Sequence, residues 1–511
     1  MFDRFRAAVR EFKSRIAVSN ESEKASFSEL LERVEWLRPL LASEENPVLV
    51  LLMLPSGPNF TAVQLAGLAE KAVVAPISHR ATSREIENYL KLIRPDLIVA
   101  TGVAAARPVL EFLQEPVTVL VDSKNAEDVG GHRVVDWGEL QLSQPPALAP
   151  REHGLRESAA LVQFTSGSTG LPKGVVLTAD NLLAYLDHNQ EFLSRSEGQD
   201  VFCPMPQFHA FGGTVVLEHL LNGAAVHLTN TYMPGEHLKR MQERQCRAIL
   251  AAPTYLRLLL QMNALSSNTV PQLSSVSMGS AAIDRTLVGE LQGQFPMLEI
   301  HLRYGLTETM GPISRLSLRP GEELEAPGLV GFAVPGVEIK TETTTPGDEV
   351  PREVRVRSEV VAPGQILEQG SWQPLLDSDG FFATGDLGYV DGKGRLFLRG
   401  RISTFIKRNG FRVDPFEIET LLKQQIGVGE AVALGIPDPV AGQEVVVCVE
   451  PGPGSSLEDG KELMAACREN LSVAKVPQRV LLINAMPRTP SGKPDRMRLI
   501  EQLTGESRQF S

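Results

Sequence analysis

Short apolar runs alternate with stretches of helical periodicity through the first part of the chain. The runs VLVLLML, LIVA and VTVLV occupy residues 48–54, 97–100 and 117–121, and segments such as ATSREIENYLKLI separate them. Apolar runs of about four to eight residues bounded by turn residues are typical of strands that are buried on both faces. The pattern therefore predicts a layered α/β body with a parallel sheet, which the runs AAVHL (224–228) and AILAAP (248–253) continue.

The pattern changes beyond residue 330. Short strands such as EVRVRSEVV and GRLFLRGR, with frequent Gly, Pro and Asp, predict a small β-rich subdomain that ends near residue 400. After it, the strand pair AVALGIP and EVVVCVE and the helical stretch LEDGKELMAACRENL predict a compact α+β segment. We therefore expect an N-terminal domain over residues 1–399 and a smaller C-terminal domain over residues 400–511.

One helix start in the C-terminal segment is well marked. Asp414 is a good N-cap residue, Pro415 suits the first helical turn, and Glu417 stands three residues after the cap. The preceding IKRNGFRV then predicts a strand and a turn held next to that cap.

Composition narrows the class of protein. The chain has 511 residues, a net charge of −12 and no apolar run of the ~20 residues that span a bilayer, so neither nucleic acid binding nor a membrane span is expected. The N-terminal MFDRFRAAVREFKSR is amphipathic without the apolar core of a secretory signal, which predicts a surface helix. Four cysteines without CxxC spacing fit the cytoplasm.

The segment FTSGSTGLPKG (164–174) combines glycines, hydroxyl side chains and one lysine. Exposed N–H groups, hydroxyls and a positive charge suit a loop that surrounds phosphate oxygens, although a solvated linker has the same composition. The segment lacks the register of a P-loop, because Lys173 precedes Gly174 and Val175. Neither Ser166 nor Ser168 lies in a Gly-x-Ser-x-Gly elbow, so a serine hydrolase is a weak alternative.

Five further motifs follow this segment in a fixed order along nearly the whole chain. They are FHAFGG (208–213), YGLTET (304–309), FATGDLGYVD (382–391), GRISTFIKRNGFRVDPFEIE (400–419) and PRTPSGKPDR (487–496). The set resembles the adenylate-forming superfamily of acyl-CoA synthetases, aryl-CoA ligases, luciferases and peptide-synthetase adenylation domains. The resemblance implies a large multi-subdomain α/β body and a small, mobile C-terminal α+β domain.

The resemblance also implies an ATP site. Its phosphate loop would comprise Thr165, Ser166, Gly167, Ser168, Thr169, Gly170 and Lys173. By the same resemblance, Tyr304 stacks on adenine, with Gly305 beside it in the cofactor site, and Thr307 contacts the α-phosphate. Glu308 helps to hold Mg²⁺, while Asp386 and Arg401 hold the ribose hydroxyls. Lys493 matches the lysine that reaches the α-phosphate and the acid's carboxylate while the acyl-adenylate forms.

The acid pocket implied by the resemblance is gated by His209. Peptide-synthetase adenylation domains carry an aspartate there that pairs with an α-amino group, so a histidine makes amino acids poor candidates. The pocket lining would be Phe211, Gly212, Gly213, Met278, Gly279 and Met310, in which each glycine also has an interpretation as a tight turn or a helix-packing position. Whether the acid is fatty or aromatic stays open at this point.

The second half-reaction in the superfamily follows a rotation of the C-terminal domain. Lys407, Gly410 and Arg412 match the turn that this rotation brings to the active site, and Ser403 stands at the hinge position that is usually Asp or Lys. No carrier-protein attachment segment follows the last motif, so the acceptor thiol is expected on free coenzyme A or on a separate carrier protein.

The resulting hypothesis is an AMP-forming acid–thiol ligase that uses ATP and Mg²⁺ to activate a carboxylic acid and transfers it to coenzyme A. Two alternatives remain. The same adenylation could deliver to an acyl or aryl carrier protein, or the chain could be a non-catalytic homologue that binds ATP or an adenylate. Retention of Lys493, Glu308 and Asp386 argues against the second alternative.

Overall fold

A computed structural model describes most of the chain. It covers every residue except 123–127, 142–147, 149, 151–157, 167–171, 195–197, 232, 282, 284, 342–349, 403–405, 409–410, 439–440, 472–474, 490–491 and 507–511. The chain packs into two compact units. The large unit comprises Met1–Leu324, Gly331–Ile339 and Val356–Ala383, and the small unit comprises Glu325–Val330, Lys340–Arg355 and Thr384–Ser511.

Helices and strands alternate through most of the described chain. The helices are α1 (Phe2–Phe12), α2 (Phe27–Leu41), α3 (Pro58–Glu70), α4 (Ser83–Leu90), α5 (Val103–Leu110), α6 (Ala179–Leu193), α7 (Ala210–Leu220), α8 (Pro234–Glu243), α9 (Pro253–Gln261), α10 (Arg285–Gln294), α11 (Pro415–Lys423), α12 (Lys461–Asn470) and α13 (Arg496–Glu506). Short 3-10 turns occupy Glu139–Gln141, Thr307–Thr309 and Glu368–Gly370.

The strands, in chain order, are β1 (Ile16–Ser19), β2 (Lys24–Ser26), β3 (Leu49–Met53), β4 (Val73–Pro76), β5 (Leu97–Ala100), β6 (Thr118–Val121), β7 (Arg133–Asp136), β8 (Ala159–Ser166), β9 (Pro172–Thr178), β10 (Asp200–Cys203), β11 (Ala225–Leu228), β12 (Ala248–Ala251), β13 (Ser275–Met278), β14 (Glu299–Gly305), β15 (Pro312–Leu318), β16 (Leu329–Ala333), β17 (Glu338–Thr341), β18 (Arg352–Arg357), β19 (Gly364–Ile366), β20 (Trp372–Pro374), β21 (Phe382–Val390), β22 (Arg395–Arg401), β23 (Ile406–Arg408), β24 (Phe411–Val413), β25 (Val428–Asp438), β26 (Gly442–Pro451) and β27 (Arg479–Leu482).

The first sheet of the large unit has the order β7-β6-β5-β3-β4-β8-β9-β19-β20. Strands β7 to β8 are parallel, and β9, β19 and β20 continue the sheet in antiparallel fashion. The predicted apolar runs are its central strands β3, β5 and β6, whose side chains are almost entirely buried. The expected layered α/β body with a parallel sheet is confirmed.

A second sheet of the large unit runs β15-β14-β13-β12-β10-β11-β1-β2. Its strands from β14 to β1 are parallel, and the runs predicted at 224–228 and 248–253 form β11 and β12. Because parallel strands end at the same edge of a sheet, the loops that follow β10, β13 and β14 share one edge. These loops carry the motifs that the sequence singled out.

The small unit joins a hairpin to an α+β sheet. Strands β21 and β22 are antiparallel neighbours, and the other sheet has the order β24-β23-β26-β25 with β27 beside β26. Helices α11 and α12 share one apolar cluster with β23, β25 and β26, and α13 packs in a second cluster on the other side of β25 and β26. The predicted α+β architecture is confirmed; the boundary proposed at residues 399 and 400 lies inside this unit and stays a prediction.

The predictions of an N-terminal surface helix and of no membrane span can be compared with the structure. The N-terminal segment forms α1, which buries Phe5, Ala8 and Val9 and exposes Asp3, Arg10 and Glu11. No helix within the described ranges is long and apolar enough to cross a bilayer.

Helix α11 begins at the predicted cap. The Asp414 side chain accepts the N–H of Phe416 at 2.9 Å, and Pro415 stands in the first turn. The spacing of Glu417 from Asp414 is that of a capping box. In the structure, the Glu417 carboxylate forms an ion pair with Lys475 Nζ at 2.6 Å. Burial raises the pKa of Asp414 to about 6, although its bond to Phe416 acts in the opposite direction.

The raised pKa of Asp414 makes stability depend on pH. Since the folded-state pKa lies above the unfolded value of about 3.9, protonation favours the folded state, and this contribution is lost as the pH rises through about 6. Asp414→Asn keeps a capping side chain and removes the titration. We expect calorimetry of the full chain to show a larger gain in Tm for this variant at pH 7.5 than at pH 5.

Asp459→Asn is the matched control for this measurement. Asp459 is an exposed residue of the same unit that accepts the Lys461 N–H, and contacts with Lys461 lower the pKa of its carboxyl. Its replacement should give no gain at pH 7.5. An equal Tm difference for Asp414→Asn at both pH values would show that the carboxyl does not titrate in this range.

Candidate active site

The predicted phosphate loop lies between two paired strands. Thr165 and Ser166 end β8 opposite Lys173 and Pro172 on β9. Strands β8 and β9 flank the loop, whereas Gly167, Ser168, Thr169 and Gly170 lie outside the described residues. Thr165 and Lys173 are half-buried.

The YGLTET segment lies next to this hairpin. Tyr304 and Gly305 end β14, and Thr307 and Glu308 form the 3-10 turn against which β9 packs. The Glu308 carbonyl accepts the Ala362 N–H at 2.8 Å, two residues before β19, which pairs with β9. The structure therefore brings together the predicted phosphate and adenine segments, which are more than a hundred residues apart in the sequence.

The predicted acid gate lies at the start of α7. His209 is the N-cap of this helix, and its Nδ1 accepts the Phe211 N–H at 3.4 Å. The Phe211 ring lies under the Arg303 guanidinium, with 5.7 Å between Cζ and the ring centroid. A Cβ atom at Gly279 would lie 3.5 Å from the same ring, so β14 and the segment after β13 both meet the first turn of α7 at Phe211.

The glycines of FHAFGG are packing positions. A Cβ atom at Gly212 would lie 2.2 Å from the Pro206 carbonyl oxygen, and one at Gly213 would lie 2.9 Å from the Gln207 carbonyl oxygen. The first turn of α7 therefore packs directly against the backbone of residues 205–207. This contact by itself requires glycine at both positions, so the two glycines do not indicate an open pocket. Their place in a substrate pocket stays a prediction.

Met278 and Met310 are both buried, at 0% and 3% exposure. The Met310 carbonyl accepts the Thr214 hydroxyl at 2.5 Å, which ties the YGLTET segment to α7. A cavity of about 10 Å³ beside Met310 and Thr214 is also lined by Tyr185 and Glu218. This space is no larger than a water molecule requires.

A buried ion pair between Arg303 and Glu218 lies next to the Phe211 ring, and the sequence motifs did not predict it. Arg303 donates to both oxygens of Glu218, at 2.8 and 2.9 Å, and to the Tyr185 hydroxyl at 2.8 Å, while Tyr185 also donates to Glu218. Burial would raise the pKa of Glu218, but the combined effect of Arg303, His219 and the Tyr185 hydroxyl holds that pKa below the ordinary value. One feature of the sequence could have indicated this pair: Glu218 is the single acidic residue in the apolar sequence of α7. A carboxylate at such a position is expected to be buried and therefore to need a charged or hydrogen-bonding partner.

The small unit brings together three of the predicted residues. Arg401 Nε donates to Asp386 Oδ1 at 2.5 Å across the β21–β22 pair. Lys493 lies close enough for both charges to act on its ammonium group: burial and then Arg401 lower the pKa of Lys493, and Asp386 opposes them. The Lys493 side chain nevertheless remains exposed to water, which limits the effect of burial.

A backbone hydrogen bond joins Thr489 to Lys493. The Thr489 N–H donates to the Lys493 carbonyl at 2.8 Å, and Gly492 adopts a positive φ of 81°. Lys407 lies on β23 opposite Arg412 on β24, as the predicted strand and turn require. Gly410 and the hinge residue Ser403 lie outside the described residues.

The two units define the fold of adenylate-forming enzymes. The structure is similar to ATP-bound MatB from Rhodopseudomonas palustris, with a TM-score of 0.80 at 22% identity over 98% of both chains. The family description AMP-binding enzyme matches residues 5–372, and the description AMP-binding enzyme C-terminal domain matches residues 417–493. The chain therefore belongs to the AMP-binding enzyme family, and the resemblance to the adenylate-forming superfamily is confirmed.

Characterised relatives span nearly the same length. The oxalate–CoA ligase of Arabidopsis thaliana is 30% identical over 474 residues, which are 89% of this chain and 88% of that protein. The luciferin 4-monooxygenase of Nipponoluciola cruciata is 28% identical over 450 residues, 84% of this chain and 80% of that protein. These similar proteins thus include both a CoA ligase and a monooxygenase.

Proposed function

We propose that this protein is an AMP-forming acid–thiol ligase that activates a fatty or aromatic carboxylic acid and transfers it to coenzyme A. The observation that carries the proposal is the assembly of the motif loops in the large unit, where the phosphate hairpin, the Glu308 turn and the His209 helix are linked by direct contacts. The similarity to a CoA ligase and to an ATP-bound structure supports the same activity.

In the first half-reaction, an acid carboxylate oxygen bonds to the α-phosphorus of ATP and the bond to pyrophosphate breaks. Negative charge accumulates on the oxygens around phosphorus, so positive and hydrogen-bonding groups there lower the barrier. We assign Thr165 and Lys173 to the β- and γ-phosphates, Thr307 to the α-phosphate and Lys493 to the reacting oxygens. Asp386 with Arg401 would hold the ribose.

Glu308 is the proposed magnesium ligand. Mg²⁺ is usually held by one or two carboxylates together with substrate phosphates, and a half-buried carboxylate next to the phosphate hairpin fits that donor set. When bound, the ion would neutralise phosphate charge. Removal of the ion by a chelator should therefore stop pyrophosphate release.

In the second half-reaction, a thiol sulfur bonds to the acyl carbon, AMP leaves, and the thiol proton passes to solvent. Lys407 and Gly410 are the residues proposed to approach the site for this step, after a rotation at Ser403. Transfer to a carrier protein uses the same chemistry, so this alternative differs only in the thiol that is recognised.

We do not propose a serine hydrolase. The large unit contains one hydrogen-bonded series of Ser19, His227 and Asp200, with Oγ to Nδ1 at 2.7 Å and Nε2 to Oδ2 at 3.1 Å. Ser19 and His227 are 1% and 0% exposed, so a substrate has no access to them and the series is structural.

The deciding experiment measures acid-dependent AMP and pyrophosphate production from ATP and Mg²⁺. Fatty acids, 4-coumarate and oxalate are supplied with and without coenzyme A. We expect AMP turnover that requires both one class of acid and coenzyme A. Pyrophosphate release without thioester would favour a carrier protein, and no acid-dependent release with any acid would overturn the proposal in favour of a non-catalytic homologue.

A further inference from the structure

Gln207 occupies a buried position in the loop that leads to the His209 gate. Its side chain is 0% exposed. Oε1 accepts the Gly57 N–H at 2.7 Å, and Nε2 donates to Thr61 Oγ1 at 2.9 Å. Its own N–H donates to Ser56 Oγ at 3.0 Å. Three hydrogen bonds thus join the loop after β10 to the loop after β3 and the first turn of α3.

The loop after β3 is itself fixed. The Ser56 N–H donates to Asn230 Oδ1 at 2.8 Å, and Asn230 Nδ2 donates back to the Ser56 carbonyl at 2.9 Å. The Thr61 hydroxyl donates its single proton to the Gly57 carbonyl at 2.9 Å, so its oxygen is left to accept the Gln207 amide. A glutamine satisfies this donor and acceptor arrangement, whereas a glutamate would leave one carboxylate oxygen without a donor.

On the other side, Gln207 lies directly against the helix that carries the gate. Its carbonyl oxygen touches the first turn of α7 at Gly213, and the Pro206 carbonyl does the same at Gly212. The His209 N–H donates to the Pro206 carbonyl at 3.1 Å. A shift of Gln207 would therefore move His209 and Phe211, because the backbone of residues 206 and 207 is in direct contact with the first turn of α7.

From these contacts, we infer that Gln207 is a positioning residue that holds the His209 imidazole in place for the carboxylic acid substrate. The inference rests on the proposed function, since it assigns a role within the same site. Gln207 is expected to affect binding of the acid and not of ATP. The proposed phosphate and adenine segments lie on β8, β9 and β14, and the three Gln207 hydrogen bonds do not involve these strands.

Gln207→Met tests the role with a side chain of similar size and no hydrogen bonds. We expect KM for the acid to rise roughly tenfold, the value for one or two lost buried hydrogen bonds, while KM for ATP stays within about twofold. Thr61→Val removes only the acceptor of Nε2 and should raise KM for the acid by a smaller factor. This second variant tests the same role if Gln207→Met folds poorly.

Gln64→Met is the matched control. Gln64 is also a buried glutamine, at 3% exposure, and its Oε1 has no hydrogen-bond partner among the described atoms. This replacement should leave KM for the acid unchanged. A rise equal to that of Gln207→Met would mean that any buried glutamine in this region has the effect, and the inference would fail.

A double-mutant cycle with His209→Ala separates positioning from general stability. If Gln207 acts through His209, Gln207→Met should not lower kcat/KM for the acid further once the imidazole is absent. Independent, multiplicative losses in an active wild type would overturn the inference and leave the proposed function intact. Absence of acid-dependent turnover in the wild type would overturn both.

Discussion

Lys493→Ala is expected to lower the rate of acyl-adenylate formation by ~10²–10³-fold or more, the loss seen when one preorganised charged or hydrogen-bonding group is removed from a transition state. Transfer from a supplied acyl-adenylate to coenzyme A should stay within about threefold of the wild type, because the proposed role of Lys493 is confined to the first half-reaction. Acid-dependent pyrophosphate release and thioester formation measure the two steps separately.

The geometry of the small unit supports this expectation. The Lys493 backbone is hydrogen-bonded to Thr489. The charges of Arg401 and Asp386 both act on the pKa of its ammonium group, which therefore lies near the residues proposed for the ribose. Lys461→Ala is the control, since Lys461 is an exposed lysine of the same unit that pairs with Asp459. Normal pyrophosphate release by Lys493→Ala would refute the assignment.

Arg303→Met should destabilise the large unit by about 3–5 kcal/mol, because it leaves the Glu218 carboxylate buried without its charged partner. The three tryptophans, Trp36, Trp137 and Trp372, all belong to the large unit, so urea unfolding followed by tryptophan fluorescence reports on this unit alone.

The double replacement Arg303→Met with Glu218→Leu provides the matching comparison. Removing both charges of a buried ion pair costs much less than removing one, so the double variant should recover most of the lost stability. A double variant as unstable as Arg303→Met alone would show that packing around Tyr185 and Phe211, and not the unpaired charge, accounts for the loss.

Local sequence was enough to place many elements. The apolar runs predicted β3, β5, β6, β11 and β12, because a strand buried on both faces has a recognisable composition. Asp414 and Pro415 predicted the start of α11 because capping depends on atoms only a few residues apart.

The partners of polar side chains were not predictable in this way. Arg303 and Glu218 are 85 residues apart. The oxygen and the nitrogen of the Gln207 side-chain amide bond to residues 150 and 146 positions away. Gly212 and Gly213 have the same composition whether they line a pocket or pack against a backbone, and only the position of residues 205–207 distinguishes these cases.

The amino-acid sequence by itself determined the family, the α/β and α+β architecture of the two units, and the local segments in which the proposed catalytic residues lie. Only the tertiary structure decided which of these segments meet, that Arg303 is held by Glu218 and Tyr185, and that Gln207 joins the gate loop to α3. The reason is physical: strand and cap preferences act over a few residues, whereas the pairing of buried charges and hydrogen bonds depends on chain segments brought together from distant positions.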